Sequence, residues 1–247
     1  MNGAESLVQT LLDGGVDVCF TNPGTSEMHF CAALDRIDGM HCILCLFEGV
    51  VTGAADGYGR MLDRPAATLL HLGPGLGNGL ANLHNAKKAR TPIVNIVGEH
   101  ATYHIEYDAP LTADIEGIAH PVSDWVRTST DSARVASDAA CAIAASRASP
   151  GAVATLVLPA DTAWGSSNGA AKTVSPSTAT APDSSAVDEC ARALRSGEPA
   201  MLLLGGRALR SVPLETAGRI AAGTGAELRS ELMALSTSVL ITTRFTP

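Results

Sequence analysis

Six short runs punctuate the first two-thirds of the chain, at 17–20, 41–46, 66–72, 92–97, 125–128 and 153–158, and most are continuously apolar instead of alternating with polar residues. A strand that reads this way is buried on both faces, as strands of a parallel sheet are. Between the runs lie helical patterns at 4–12, 27–34, 48–61, 76–89 and 132–147. Strand-helix-strand repetition predicts an α/β layered fold with a mostly parallel sheet.

Composition sets limits on function. Apolar residues make up 46% of the 247, enough for a substantial core, while aromatics are only 4%. Ala and Gly are abundant, so elements pack closely through small side chains. The net charge is −8 and no basic run exceeds Lys87-Lys88. A nucleic-acid surface needs clustered Lys and Arg to displace counterions, so no nucleic-acid partner is expected. No apolar stretch is long enough to span a bilayer. Asn2, Glu5 and Gln9 interrupt any signal-peptide pattern, so a cytoplasmic location is expected, with no membrane partner. Six cysteines in a chain this size do not suggest a disulfide framework. Cys42 and Cys45 form a C-x-x-C within the run 41–47, but residues three apart on a strand point to opposite faces and cannot share a metal. They are expected to be buried structural thiols.

Residues 165–185 change character: Ser, Thr, Ala and Pro dominate, a linker composition. Domain boundaries are therefore expected at 1–164, with a linker at 165–185 and a second α/β unit over 186–247. That unit begins with helix 186–194, buried strand 200–204, a turn at Gly205-Gly206 and helix 214–222. One helix-strand-helix unit cannot cover both faces of its sheet, and 231–247 shows no clear periodicity. Truncation, with an altered tail, is the expectation; a short lobe supported by a partner is the alternative.

Four loops follow successive strands and would emerge at one edge of a parallel sheet, where ligands bind in open α/β sheets. Glu48 follows the run 41–47 and opens a helix; its negative charge would also suit a first helical turn whatever its function. Behind it Gly49, Gly53 and Gly57 fall at i, i+4 and i+8, a stripe that invites close approach by a helix or a ligand, and self-association or partner binding is expected there. The run from His71 to Gly79 reads as a glycine-rich loop able to hold an anion or a polar heterocycle through backbone amides. It fails the dinucleotide fingerprint, because Leu80 stands where the third glycine belongs, and it lacks a P-loop lysine. In Asn22-Pro-Gly-Thr-Ser-Glu27, Thr25 or Ser26 is expected to cap the next helix, with Glu27 in its first turn. Gly98-Glu99-His100 is the fourth loop.

The order of these motifs resembles the pyrimidine-binding domain of thiamine-diphosphate (ThDP) enzymes of the acetolactate synthase and benzoylformate decarboxylase group. The matching stretches are Asn22-Pro-Gly-Thr-Ser-Glu27, Phe47-Glu48-Gly49 with Ala54-Ala-Asp-Gly-Tyr-Gly-Arg60, Gly73-Pro-Gly-Leu-Gly-Asn78 and Arg90-Thr-Pro-Ile-Val-Asn-Ile-Val-Gly98. The resemblance is close over 1–164 and looser over 186–228, which is similar to the start of the family's central domain. It implies a parallel-sheet pyrimidine-binding domain followed by an incomplete second α/β domain. It also implies catalytic roles for Glu48 and His71. Glu48 would share a proton with pyrimidine nitrogen N1′, favouring the imino tautomer whose 4′-nitrogen takes the C2 proton. His71 matches a histidine near the substrate in benzoylformate decarboxylase, and Thr25 matches a serine there; a backbone-bonded histidine at a strand end is the plainer reading. Pro23, Gly24, Thr25, Glu48, Pro74, Asn78 and Glu99 match cofactor-side positions, although acetolactate synthases usually carry glutamine at the position of Glu99. His84, His100, His104 and His120 have no metal-ligand spacing, and no metal site is expected within the chain.

The family's Gly-Asp-Gly motif, which holds Mg²⁺ and the diphosphate through hard oxygen ligands, does not occur here. Mg²⁺ ligands are therefore expected on a missing domain or a partner chain, from a homodimer or a separate diphosphate-binding subunit. FAD stays open. The implied activity is decarboxylation or carboligation of a 2-oxo acid. Two rivals stand beside it: a non-catalytic remnant of the fold, and an unrelated nucleotide-binding domain, which a preference for ATP or NAD over ThDP would reveal.

Overall fold

The structure is a computed structural model, and it describes residues 1–230. The chain divides into two units, 1–178 and 179–247. The expectations for the tail 231–247 lie outside the described residues.

In the first unit, α1 (Gly3–Asp13) is capped by Asn2, whose side chain accepts the Glu5 N–H at 2.8 Å while Glu5 accepts the Asn2 N–H at 3.1 Å. Then follow β1 (Val18–Asn22), α2 (Met28–Arg36), β2 (His41–Leu44), α3 (Glu48–Leu62), β3 (Ala66–Leu70), α4 (Leu72–Ala89), β4 (Ile93–Glu99), α5 (Ile115–Ala119), β5 (Trp125–Thr128), α6 (Val135–Ser146), β6 (Val153–Pro159) and α7 (Ala160–Trp164). The six strands form one sheet in the order β2-β1-β3-β4-β6-β5, and every pairing is parallel. Two cores flank it. Leu7 and Leu11 of α1, Phe30 of α2 and Val135 and Ile143 of α6 pack on one face. Val51 and Ala55 of α3, Leu76 and Leu83 of α4 and Ile115 of α5 pack on the other. Covering both faces explains the continuous apolar runs: all residues of β3, β4 and β6 are buried.

β2 departs from this pattern. It is one of two edge strands, most of it is exposed, and Cys42 is exposed with it; Cys45, just past the strand, is buried. The expectation of two buried thiols therefore fails for Cys42, because an edge strand lacks a neighbour on one side. A second correction concerns 71–79. The glycine-rich run is the first two turns of α4, reached through a left-handed backbone at Leu72, φ 55°. Pro74 is tolerated there because first-turn amides have no intrahelical acceptor. The glycines let neighbours approach: a Cβ on Gly73 would lie 2.4 Å from the Ala113 Cβ, and one on Gly79 2.9 Å from the Thr52 methyl. The stripe on α3 is met from within the chain, since Asn82 of α4 donates to the Gly49 carbonyl at 2.6 Å and a Cβ on Gly53 would touch it at 3.0 Å. Gly57 has nothing within 4 Å.

Residues 165–178 belong to the first unit, where Ser166 bridges to Asn2. The second unit contains α8 (Ser184–Leu194), β7 (Met201–Leu204), α9 (Ser211–Thr224) and β8 (Glu227–Ser230). α8 is capped by Asp183, and α9 ends on Gly225 at φ 74°, the left-handed residue that commonly terminates helices. β7 and β8 pair in parallel. β8 was not foreseen from the sequence, because Glu-Leu-Arg-Ser carries no apolar run.

The sheet interior holds a polar ladder. Strand register places Thr68 beside Asn95 and Asn95 beside Thr155. Thr68 donates to Asn95 Oδ1 at 2.7 Å, Asn95 Nδ2 donates to Thr155 at 3.0 Å, and Ser123 meets Thr155 at 2.7 Å, all buried. A buried polar group costs little while paired and about 1–3 kcal/mol once orphaned. Asn95→Leu keeps the volume but takes the acceptor from Thr68 and a donor from Thr155, so it is expected to lower unfolding free energy by about 1–3 kcal/mol in urea titration.

Candidate active site

Parallel pairing sends the carboxyl ends of β2, β1, β3 and β4 to one edge of the sheet. The chain reverses its direction of strand addition between β1 and β3, which leaves a crevice beyond that pair. The residues after β1 and β3 meet there. Glu27 lies in a short 3-10 turn, Thr25–Glu27, and its carboxylate reaches back to accept the Gly24 N–H at 2.7 Å. The expected cap from Thr25 or Ser26 does not form: neither side chain caps a helix, and Thr25 is exposed. The same Glu27 oxygen, Oε2, lies 2.7 Å from Nδ1 of His71, the residue between β3 and α4. An ionised Glu27 accepts from Nδ1–H of a neutral His71 ring, which leaves Nε2 as an acceptor.

Little space surrounds this pair. The Glu27 side chain is 1% exposed and that of His71 is 23% exposed. A Cβ on Gly24 would lie 2.4 Å from the His71 ring, and one on Gly98 would lie 1.6 Å from Glu27 Oε1. Any side chain at either position displaces the pair. Oε1 has no hydrogen-bond partner among the described residues, so it is buried at a cost. Burial pushes the Glu27 carboxyl above its ordinary value, opposed by the Gly24 amide and His71.

Glu99 ends β4 beside Glu27. Its Oε1 accepts the His100 N–H at 2.7 Å, and burial, with Glu27 as a further like charge, raises its pKa. The pKa of His100 is lowered by burial and by the neighbouring His104 and His71, and its Nε2 is buried with no hydrogen-bond partner among the described residues. Its ring packs against His104, centroids 5.5 Å apart. Sequence reasoning gave Glu27 only a place in the first helical turn and gave His100 no role. The signal for Glu27 lay in the three-residue spacing from Gly24, which returns a side chain to a free amide.

Glu48 opens α3 just past β2. Asn78 Nδ2 donates to its Oε2 at 3.0 Å. A Cβ on Gly75 would lie 3.5 Å from Glu48 Oε1 and 3.5 Å from the His71 Cβ, so the second Glu48 oxygen and the histidine flank one strip of α4 backbone. Pro74 and Asn78 are exposed on the first two turns of α4, and Pro23 is partly exposed at the end of β1. The structure thus gathers Pro23, Gly24, Thr25, Glu48, His71, Pro74, Asn78 and Glu99 at one sheet edge. Among the described residues no group of three or more His, Cys, Asp or Glu is arranged to hold a metal ion. No helix among them is long and apolar enough to cross a membrane.

Fold and site define an α/β domain whose topological switch point is lined by carboxylates and a histidine. Residues 1–118 match the family of thiamine pyrophosphate enzymes, N-terminal TPP binding domain. IlvX, a Mycobacterium tuberculosis protein that carries an acetolactate synthase large-subunit name, is 60% identical over 226 residues, 92% of this chain and 43% of its own length. The benzoylformate decarboxylase of Pseudomonas aeruginosa is 35% identical over 112 residues, 45% of this chain and 21% of that enzyme. A Mycobacterium smegmatis structure assigned to the thiamin diphosphate-dependent enzymes superposes with a TM-score of 0.86 at 25% identity, covering 96% of this chain and 45% of that one. Residues 1–118 therefore carry the N-terminal TPP binding domain of the thiamine pyrophosphate enzymes, and the chain spans less than half the length of these relatives.

The raised Glu27 pKa has a stability consequence. The fold favours the protonated form, so this contribution is present below the ordinary value of 4.5 and is lost as pH rises through the higher folded value. Urea unfolding at a series of pH values from 4.5 upward is expected to show a smaller fall in stability with pH for Glu27→Gln than for the native chain; equal slopes would contradict the assignment.

Proposed function

We propose that this chain is the pyrimidine-binding part of a ThDP-dependent 2-oxo acid decarboxylase or carboligase of the acetolactate synthase type, working in the cytoplasm. The observation that carries the reading is Glu48: a carboxylate at the sheet's carboxyl edge, one oxygen fixed by Asn78 and the other open beside Gly75. A carboxylate oxygen there is an acceptor that fits a protonated ring nitrogen. When bound, the cofactor supplies an acidic C2 carbon that adds to the carbonyl of a 2-oxo acid. Glu48 holds the proton shared with the aminopyrimidine, and Asn78 fixes the plane of its carboxylate. Glu27 orients His71 so that Nε2 faces the substrate side of the crevice, able to give or take a proton there. Pro23, Gly24, Thr25, Pro74 and Glu99 form the surrounding wall.

Diphosphate and Mg²⁺ need hard oxygen ligands, and the described residues offer no such group. A second chain, a further domain, or a second copy in a homo-oligomer is proposed to supply them. Exposed apolar side chains around Glu48 support such a partner: Leu46 is 92% exposed, Val50 55% and Phe47 50%. Six free cysteines support a reducing compartment.

Two measurements test the proposal. In amide NMR titrations, ThDP is expected to perturb the surroundings of Glu48, Asn78 and His71, with binding weakened about tenfold by Glu48→Gln, the scale of one charge-assisted hydrogen bond. Equal affinity in the variant, or a response to ATP or NAD instead, overturns it. In sedimentation velocity the chain is expected to associate with rising concentration, and Leu46→Glu to weaken that association; a well-folded, strictly monomeric native chain contradicts the partner face.

A further inference from the structure

Three cysteines meet on the α2 side of the sheet, away from the carboxylate crevice. Cys19 is on β1, Cys42 on β2 and Cys31 on α2. The parallel register sets Cys19 directly beside Cys42. Residues paired this way point to the same sheet face, and their Cα atoms are one strand spacing apart, about 4.8 Å. That separation falls within the range of about 4.4–6.8 Å that disulfides span. The two thiols differ in their surroundings. Cys19 is fully buried among the residues under α1 and α2, whereas Cys42 is exposed on the edge strand. Cys19 Sγ–H donates to the Phe20 carbonyl at 3.8 Å, and the neighbouring Cys19 thiol holds Cys42 below its ordinary range, at about 7, while Cys42 and burial hold Cys19 above its own. Cys31 is half-buried against the same core. Cys45 packs in the core on the opposite sheet face and cannot reach Cys19 in this register.

An accessible, readily ionised thiol with a second thiol paired beside it across the strands is the arrangement that two-electron oxidation by a peroxide requires. We propose that Cys42 and Cys19 form a peroxide-sensitive dithiol whose oxidation staples β1 to β2. The Cys42 thiolate attacks one peroxide oxygen and the O–O bond breaks. The other oxygen takes a proton and leaves as water or an alcohol, and Cys42 becomes a sulfenic acid. The Cys19 sulfur then attacks the Cys42 sulfur, the S–OH bond breaks, and hydroxide leaves with the Cys19 proton as water. Two thiols are oxidised and one hydroperoxide is reduced. The new bond would join the strand that leads to Gly24 and Glu27 to the strand that leads to Glu48.

The test uses the native chain, treated with hydrogen peroxide, alkylated and digested for peptide mass mapping. It is expected to lose two of its six free thiols and to yield one peptide pair joined through Cys19 and Cys42. Cys19→Ser is expected instead to accumulate a sulfenic acid at Cys42, trapped by dimedone. A Cys42 that remains free after treatment overturns the proposal, as does one joined to Cys31 or to a second chain. Because the mapping is done on the native chain, it decides the matter even if the buried Cys19→Ser variant fails to fold.

Discussion

β1 pairs in parallel with β3, Asn22 opposite Leu70, although β2 and α3 lie between them in the chain. This pairing puts the turn after β1 against the turn after β3 and makes the contact between Glu27 and His71, 44 residues apart, possible. β2 is pushed to the edge by the same pairing and delivers Glu48 from outside, while β4 delivers Glu99 and His100 from the other side. The crevice follows from strand order, and strand order follows from the need to bury apolar strands on two faces.

Electrostatics and packing act together at this edge. Glu27 is buried at a cost, and the Gly24 amide and the His71 ring offset that cost only because glycine at 24 and 98 lets backbone and ring close around it. Leu72, buried and left-handed, is a further unfavourable element, placed where the chain must turn sharply from His71 into α4. Sheet and helices elsewhere supply the stability that keeps such local strain in place.

The six strands and most helices were legible because burial on both faces writes itself as apolar runs. The loops that share the sheet edge were legible from their place after those runs. What failed was whatever depends on a neighbour. Cys42 sits in an apolar run yet is exposed, since the run cannot say which strand lies at the edge. The glycines from 73 onward read as a loop because propensity counts the cost of glycine in a helix and not the room it makes for Thr52 and Ala113. The Thr68-Asn95-Thr155 ladder needs the register of three strands, and Glu27 reads as an ordinary first-turn acid until His71 and Gly98 are folded beside it. β8 carries no apolar signal at all.

The bare backbone at Gly24 and Gly98 also bears on how such a site could be diversified. Its inner wall is main chain, so its width there is set by strand spacing and not by side-chain choice. A combinatorial library would find almost no tolerated substitution at those two positions. Variation would be confined to the outer rim, at exposed Thr25 and Pro74, where side chains can change length without moving the acid or the base behind them.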